Sequence, residues 1–516
     1  MTGSALSRTR RERELAGLAA GPVTDVLVIG GGITGAGVAL DAAARGLSVV
    51  LAERADLASG TSRWSSKLVH GGLRYLAHGD VAVAYESAVE RGRLMAAIAP
   101  HLCRALPMVL PYTPVLGRPE RIQARAGLAA GDLLRTVAWT GRRQLPRART
   151  LTAGQALRLV PGLRGDVTGG VLSFDGQLTD DARLVVAIAR TAAAHGAVIL
   201  TRCEASGLTG EGATLTDRLT GASIAVSARA VINATGVWAG GLVPDVPLRP
   251  SRGTHLVLRG SALPGLRAGL TVPVPGERAR FVFALPVPGE DRVYVGITDE
   301  PADGAPADEP QPTGAEITFL LTTISSALAV PLTRADVAGS FAGLRPLLAG
   351  RAGSTADLSR RHAVLAPAGG PVTVVGGKLT TYRRMAADAV DAALASPALA
   401  GRAARPGQSA RLPLVGAAPA AALAAIRAPA RLVARYGTEA PDVLALAEAD
   451  PALAAPVAGA VTGAELAFAV AREGALDAAD VLDRRTRIGL VAADRAQALA
   501  AAVAIAGPER LAGERR

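Results

Sequence analysis

Thr24 opens the stretch TDVLVIGGGITGAGVALDAAARGLSVVLAER, in which two apolar runs flank a glycine turn and an Ala-rich segment. Asp25 to Ile29 and Ser48 to Ala52 have the length and composition of buried strands. Between them, Gly30, Gly32 and Gly35 form G-x-G-x-x-G and open a predicted helix reaching Arg45, with Gly46 as its C-cap. The glycines serve a tight turn, close backbone approach to a pyrophosphate, and close packing of helix on strand. The helix N-terminus offers N–H groups and the positive end of a dipole to a diphosphate. Glu53 stands 21 residues beyond Gly32, placed to accept a hydrogen bond from a ribose hydroxyl. A lone glycine motif is a weak sign. Strand, helix and acid in this register predict a dinucleotide-binding βαβ unit, without separating NAD from FAD.

At 516 residues the chain is long enough for two or three domains. Hydrophobic residues make up 49%, but Ala supplies much of that and aromatics only 3%, so cores of Leu, Val and Ala are expected. A mean hydropathy of +0.29 raises the question of membrane spans. Runs such as AAPVAGAVTGAELAFAVA carry Glu and too few large side chains to cross a bilayer. The N-terminal MTGSALSRTRRERELAGLAAG has no continuous apolar region of the kind a signal peptide needs. Cys103 and Cys203 are far apart and suggest neither a disulfide framework nor a metal site. These features predict a cytoplasmic location. No His, Cys, Asp or Glu grouping has metal-ligand spacing, and no serine nucleophile elbow is present. The net charge of +12 suits phosphorylated substrates or anionic lipid. Nucleic-acid binding is not expected, because the arginines are spread along the chain without aromatic stacking platforms.

Further along, Ala182 to His195 predicts a helix, and Ala230 to Asn233 a buried strand ending in the turn Ala234–Gly236. THLVLRG, RFVFALPV and RVYVGITD, within 250–300, predict an antiparallel sheet, and 300–313 a loop. The Pro- and Arg-rich region 105–165 reads as loops and short helices. PVTVVGGKLTTYRRMAADAV is a second strand–glycine–helix transition, and 400–410 a linker to an Ala-rich helical remainder.

One compositional bias is informative. Of 56 basic residues only Lys67 and Lys378 are lysine, and Asn233 is the single asparagine. A residue type that survives such depletion marks sites where substitutes fail, and the planar Arg fork replaces a compact ammonium poorly.

All three survivors fall in motifs that resemble, in order, those of the FAD-dependent glycerol-3-phosphate dehydrogenases, within the D-amino-acid-oxidase-like flavoproteins. The resemblance runs from about Asp25 to Ala395: VIGGGITGAGVALDAAARGLSVVLAE, DLASGTSRWSSKLVHGGLRYL, VINATGVWA, GTHLVL, VGITD, FAGLRPLL and VVGGKLTTYRR. DAADVLDRRTRIGL resembles the family's helical C-terminal domain less specifically. It implies an α/β fold: an FAD-binding Rossmann-like domain, an antiparallel β-sheet substrate domain and a C-terminal helical domain. The oxidoreductase region is expected at 22–395, with FAD-binding parts near 22–105, 165–245 and 340–395. Substrate-domain parts are expected near 106–164 and 246–339, and the C-terminal domain at 400–516.

The resemblance also implies roles. FAD takes the hydride of a secondary alcohol, so the protein must orient the substrate, hold its phosphate and handle a proton. Arg74, Tyr75, Arg345, Arg360 and Lys378 are substrate-binding candidates, with the register of Arg360 against Arg361 open. Thr298 and Asp299 would line the pocket. His255 is the preferred general base or relay, with Arg345 stabilising the alkoxide, and His70 would serve the flavin side. Thr61, Ser62, Ser65, Ser66 and Lys67 would form the flavin-proximal loop, with Gly71 and Gly72 after it. Ala234, Thr235 and Gly236 would close over the diphosphate, and Asn233 would fix that turn. Gly377, Lys378, Leu379 and Thr380 would approach the isoalloxazine ring. Gly30, Gly32, Ile33, Thr34, Gly35, Glu53, Arg54 and Gly343 complete the cofactor set.

The expected activity is oxidation of sn-glycerol 3-phosphate to dihydroxyacetone phosphate, with electrons passed to a quinone. The charge excess suggests peripheral docking on an anionic membrane surface, from the cytoplasmic side of the cell membrane. The oligomeric state stays open, a homodimer included. An oxygen-using oxidase, an amine or amino-acid oxidase on the same scaffold, and a non-catalytic redox sensor are the alternatives.

Overall fold

The computed structural model describes residues 2–72, 75–76, 79–114, 116–244, 246, 248–277, 280–348 and 361–507. Its first sheet has a parallel core in the spatial order Val372–Gly376, Ser223–Asn233, Thr24–Ile29, Val49–Ala52, Val198–Leu200. His362–Leu365 pairs antiparallel at one edge. Every residue of Thr24–Ile29 is buried, as a parallel strand covered on both faces requires. Helix Ile33–Ala44 packs on one face with helices Asp181–Ala194 and Tyr382–Leu394. Small residues set that spacing: a Cβ on Gly37 would stand 2.9 Å from the Tyr382 ring. The other face is covered by the Cys203–Ser206 and Gly212–Asp217 hairpin and by helix Arg8–Leu18.

The second sheet is mostly antiparallel. Its main path runs Glu300–Pro301, Ser251–Leu258, Val293–Gly296, Phe281–Pro286, Gly269–Pro273, Cys103–Pro111, Gly169–Leu178, Leu68–Val69. Val337–Arg345 pairs with Ser251–Leu258, and Arg149–Thr152 with Gly169–Leu178. Sheet membership cuts across the stretches of the chain expected for cofactor and substrate. Leu68–Val69, Gly169–Leu178 and part of Val337–Arg345 lie in stretches assigned to cofactor binding, yet they pair in this second sheet. Pairing is long-range, and a strand's own residues do not name its neighbours. One consequence positions the site. The chain leaves the first sheet at Ala52 and joins the second at Leu68, so residues 53–67 bridge the two.

The region 105–165 corrects the expectation of loops and short helices. It contains most of strand Cys103–Pro111 and the 20-residue helix Arg118–Val137. Pro119 sits in the first turn, where its missing N–H interrupts no helical bond. Proline there marks a helix start rather than a loop. The C-terminal part carries helices Ala430–Tyr436, Ala440–Ala449, Gly463–Arg472 and Ala492–Ala506, plus the small hairpin Pro456–Ala458/Val461–Thr462. Among the described residues, no helix is long and apolar enough to cross a membrane.

Candidate active site

A cavity of about 1840 Å³ lies at the junction of the two sheets. At one end the glycine-rich turn leaves the central strand. Gly30 has φ +110°, and a Cβ there would stand 2.7 Å from the Ala234 carbonyl oxygen. A Cβ on Gly35 would come within 1.9 Å of the Gly30 oxygen, so this helix can start so close to the strand only with glycine. Glu53 Oε2 accepts from the Gly31 N–H at 2.6 Å and Oε1 from the Ala55 N–H at 2.7 Å. Burial pushes the Glu53 carboxyl up from its ordinary value, opposed by those two N–H groups. The Ile33 N–H, in the first turn of the helix, donates to Ser62 Oγ at 2.8 Å. At the end of the neighbouring strand, Asn233 Oδ1 accepts from the Thr235 hydroxyl at 2.7 Å and its N–H at 3.3 Å, while Nδ2 donates to the Ala239 oxygen. A side chain that both accepts and donates is needed at that turn, which accounts for the lone asparagine. A bare glycine backbone, a helix N-terminus and a buried carboxylate fit the pyrophosphate and ribose of a dinucleotide.

The other end is cationic. Arg345, at the end of its strand, donates from Nη1 to Asp299 Oδ1 at 3.1 Å and Ser251 Oγ at 3.2 Å, and from Nη2 to the Thr298 oxygen at 3.0 Å. Gly253 makes the room: a Cβ there would meet Arg345 Nη2 at 2.4 Å. The Thr298 hydroxyl donates to buried Glu316 at 2.9 Å, so this residue supports the wall through its backbone. Lys378 lies 3.9 Å from the centre of the Tyr75 ring and donates to Ser87 Oγ at 2.5 Å. His70 Nδ1 is 2.9 Å from Asp175 Oδ2, and Asp175 Oδ1 accepts from Arg91 at 2.8 Å. Burial raises the Asp175 carboxyl, but His70 and Arg91 outweigh it and bring it down to about 2. That carboxylate is ionised and accepts only, so His70 presents an Nδ1–H to it and turns Nε2 the other way.

Most of the residues singled out from sequence meet on this cavity. Gly30, Gly32, Ile33 and Thr34 line it, as do Glu53, Arg54, Thr61, Ser62, Ser65 and Ser66. So do His70, Gly71, Gly72 and Tyr75, the turn Ala234–Gly236, Thr298, Asp299, Gly343 and Arg345, and Gly377–Thr380. Arg74 and Arg360 lie outside the described residues. Three others are placed elsewhere. Gly35 packs helix against strand and does not form the wall. Lys67, expected beside the flavin, is turned inward: 2% exposed, with φ +56°. Its ammonium donates to the Arg63 and Ser65 oxygens at 2.9 and 3.0 Å and to Asp181 Oδ2 at 3.0 Å, and lies 4.5 Å from the Phe341 ring centre. His255 is fully buried behind Ser66, its Nε2 2.8 Å from Ser66 Oγ and its ring stacked on Phe341. Burial, then the charges of Lys67 and Arg345, hold its pKa well below the ordinary histidine value. Sequence reasoning missed Arg91, Asp175 and Arg484 on the wall. Asp175 lies 105 residues from His70, and nothing local in SFDGQL signals the pairing.

Comparison with known proteins gives the family. Residues 25–383 match the family model described as FAD dependent oxidoreductase, and 408–511 that of the C-terminal domain of alpha-glycerophosphate oxidase. Glycerol-3-phosphate dehydrogenase 1 of Mycobacterium tuberculosis is 53% identical over 510 residues, covering 97% of this chain and 98% of that protein. The chain belongs to the FAD-dependent glycerol-3-phosphate dehydrogenase family. Among solved structures, the glycerol-3-phosphate dehydrogenase of Bacillus halodurans, complexed with FAD, superposes with a TM-score of 0.73 at 28% identity. That match covers 98% of this chain and 95% of the other. The L-alpha-glycerophosphate oxidase of Mycoplasma pneumoniae, at 16% identity and a TM-score of 0.56, shares the fold over 76% of this chain and 99% of its own. The cofactor of this family member is FAD, and the glycine turn, Glu53 and the 234–236 turn are the parts of the chain that suit it.

Proposed function

We propose that this chain oxidises sn-glycerol 3-phosphate at its secondary hydroxyl to dihydroxyacetone phosphate and delivers the electrons to a membrane quinone. One observation carries the reading: a dinucleotide cradle shares its cavity with the cations Arg345 and Lys378 and with a carboxylate-paired histidine, His70. Lys378 and the Arg345 fork suit a phosphate dianion and an adjoining alkoxide through charge-assisted bonds. His70 Nε2 takes the hydroxyl proton, with Asp175 orienting the ring and stabilising its charged form. His255 passes from candidate base to positioning residue, fixing the Ser66 hydroxyl on the wall. FAD, when bound, supplies the hydride acceptor and the route by which electrons leave.

The quinone and a peripheral membrane location draw support from helix Arg118–Val137. Ile122, Leu133 and Val137 are exposed there and Trp139, just beyond, is 92% exposed, with exposed Arg118, Arg125, Arg142 and Arg143 nearby in sequence. Gln123, Gly127 and Gly131 of the same helix line the cavity. An apolar acceptor and an anionic lipid surface suit such a helix. Oxygen as acceptor is the second reading, favoured by the oxidase description of the C-terminal family model.

Anaerobic titration with glycerol 3-phosphate should bleach the flavin absorbance band, and glycerol should not. A holoenzyme that stays oxidised under substrate excess would sink the reading. Turnover with a quinone analogue well above that with oxygen is expected, and the reverse would favour the oxidase.

A further inference from the structure

The segment DAADVLDRRTRIGL lies far along the chain from the cofactor motifs, yet its arginines end at the cofactor loop. Asp56, three residues beyond Glu53, is fully buried. Arg485 grips its carboxylate with both ends of the guanidinium fork, at 2.7 and 2.8 Å, and Arg484 Nε adds a third bond at 2.6 Å. Arg484 also pairs with Asp480 and lines the cavity. Two residues beyond Arg485, Arg487 donates to the Arg63 oxygen at 2.6 Å. The C-terminal segment thus holds the loop 53–63 at Asp56 and at Arg63. The same loop meets the glycine turn directly. The Ala58 N–H donates to the Gly31 oxygen at 3.0 Å, and Glu53 and Ser62 accept from the Gly31 and Ile33 N–H groups.

We infer that the C-terminal domain is a clasp on the FAD site: Arg484 and Arg485, by gripping Asp56, fix the loop that forms one wall of the cofactor cradle. A fully buried ionic grip on Asp56, beside the ion pairs of Arg54 with Asp308 and Arg63 with Glu309 whose carboxylates are exposed, gives that loop one position. Reciprocity follows. If docking of the C-terminal domain favours FAD binding, FAD must favour docking by the same factor.

Apoprotein freed of FAD and titrated with FAD, read by flavin fluorescence at a temperature where circular dichroism shows a folded chain, tests this. Asp56→Asn and Arg485→Lys should each raise the FAD Kd tenfold or more. Arg190→Lys, which disturbs another C-terminal ion pair (Arg190 on Glu439, 2.7 Å), should leave it within twofold. A rise below tenfold in the folded loop variants, or an equal rise in Arg190→Lys, overturns the proposal. The second arm uses the wild-type chain, so it stands even where a variant does not fold. FAD should slow proteolytic cleavage in the exposed segment 401–407 tenfold or more, and protection below that overturns the inference as well.

Discussion

Lys67 shows how far a single residue can be read before its surroundings are known. Its survival in an Arg-rich chain signalled a place where Arg fails. The reason is a compact ammonium serving three buried acceptors from a left-handed backbone position. Lys67→Arg should lower the thermal midpoint by overpacking, about 1–3 kcal/mol. Lys67→Met should cost roughly 3–5 kcal/mol, because buried Asp181 loses the cation that bonds it. Thermal denaturation of the two variants checks both, and a Lys67→Arg protein as stable as wild type would contradict this account. The histidines make the same point about the reaction. His70→Asn should reduce kcat by about 10²–10⁴-fold, as for a lost general base. His255→Asn should lose only a small part of that, and equal losses would return His255 to the role of base. His70 could not be preferred from sequence, since SSKLVHGG and GTHLVL each offer one histidine in a family motif.

Elements were legible where the signal is local. The glycine turn, the helix it opens and the strand ending at Asn233 all carry short-range backbone requirements, and they appear where expected. Helix Arg118–Val137 was hidden by a composition that reads as loop. Its exposed apolar residues yield a test. Leu133→Ser or Trp139→Ser should weaken binding to anionic vesicles about tenfold each, since roughly 1–2 kcal/mol of apolar contact is lost. Sedimentation with vesicles measures this, and undiminished pelleting of both variants would remove the helix from the docking face.

Across the whole molecule, buried ion pairs join the C-terminal part to the cofactor half: Arg183 on Glu473, Arg190 on Glu439, and Arg202 on Asp477 and Asp480. Histidine 101 lies in the same seam, buried beside the Gly416–Tyr436 contact. Burial, and then the Arg183 charge, lower its pKa to about 3. The unfolded chain takes up that proton below about pH 6.5 while the folded chain does not, so stability falls as pH falls through that window. Between pH 7 and 5 the loss from His101 alone should be roughly 2 kcal/mol. His101→Gln should lose about that much less over the same interval, measured by chemical denaturation at the two pH values. An unchanged acid sensitivity would place the proton uptake elsewhere.

A dinucleotide site was readable from the chain, because it depends on local demands: a glycine where a Cβ cannot fit, an acid at a strand end, an amide that closes a turn. FAD and the family came from the resemblance of the motifs and their order. Which histidine faces the cavity, that Lys67 points away from it, and that Asp56 is gripped by arginines 428 and 429 residues away were not readable. Those outcomes depend on which side of a strand or loop each residue presents once two sheets and a helical domain close together. Pairing over such separations is set by the packing of the whole chain, and no stretch of neighbouring residues records it.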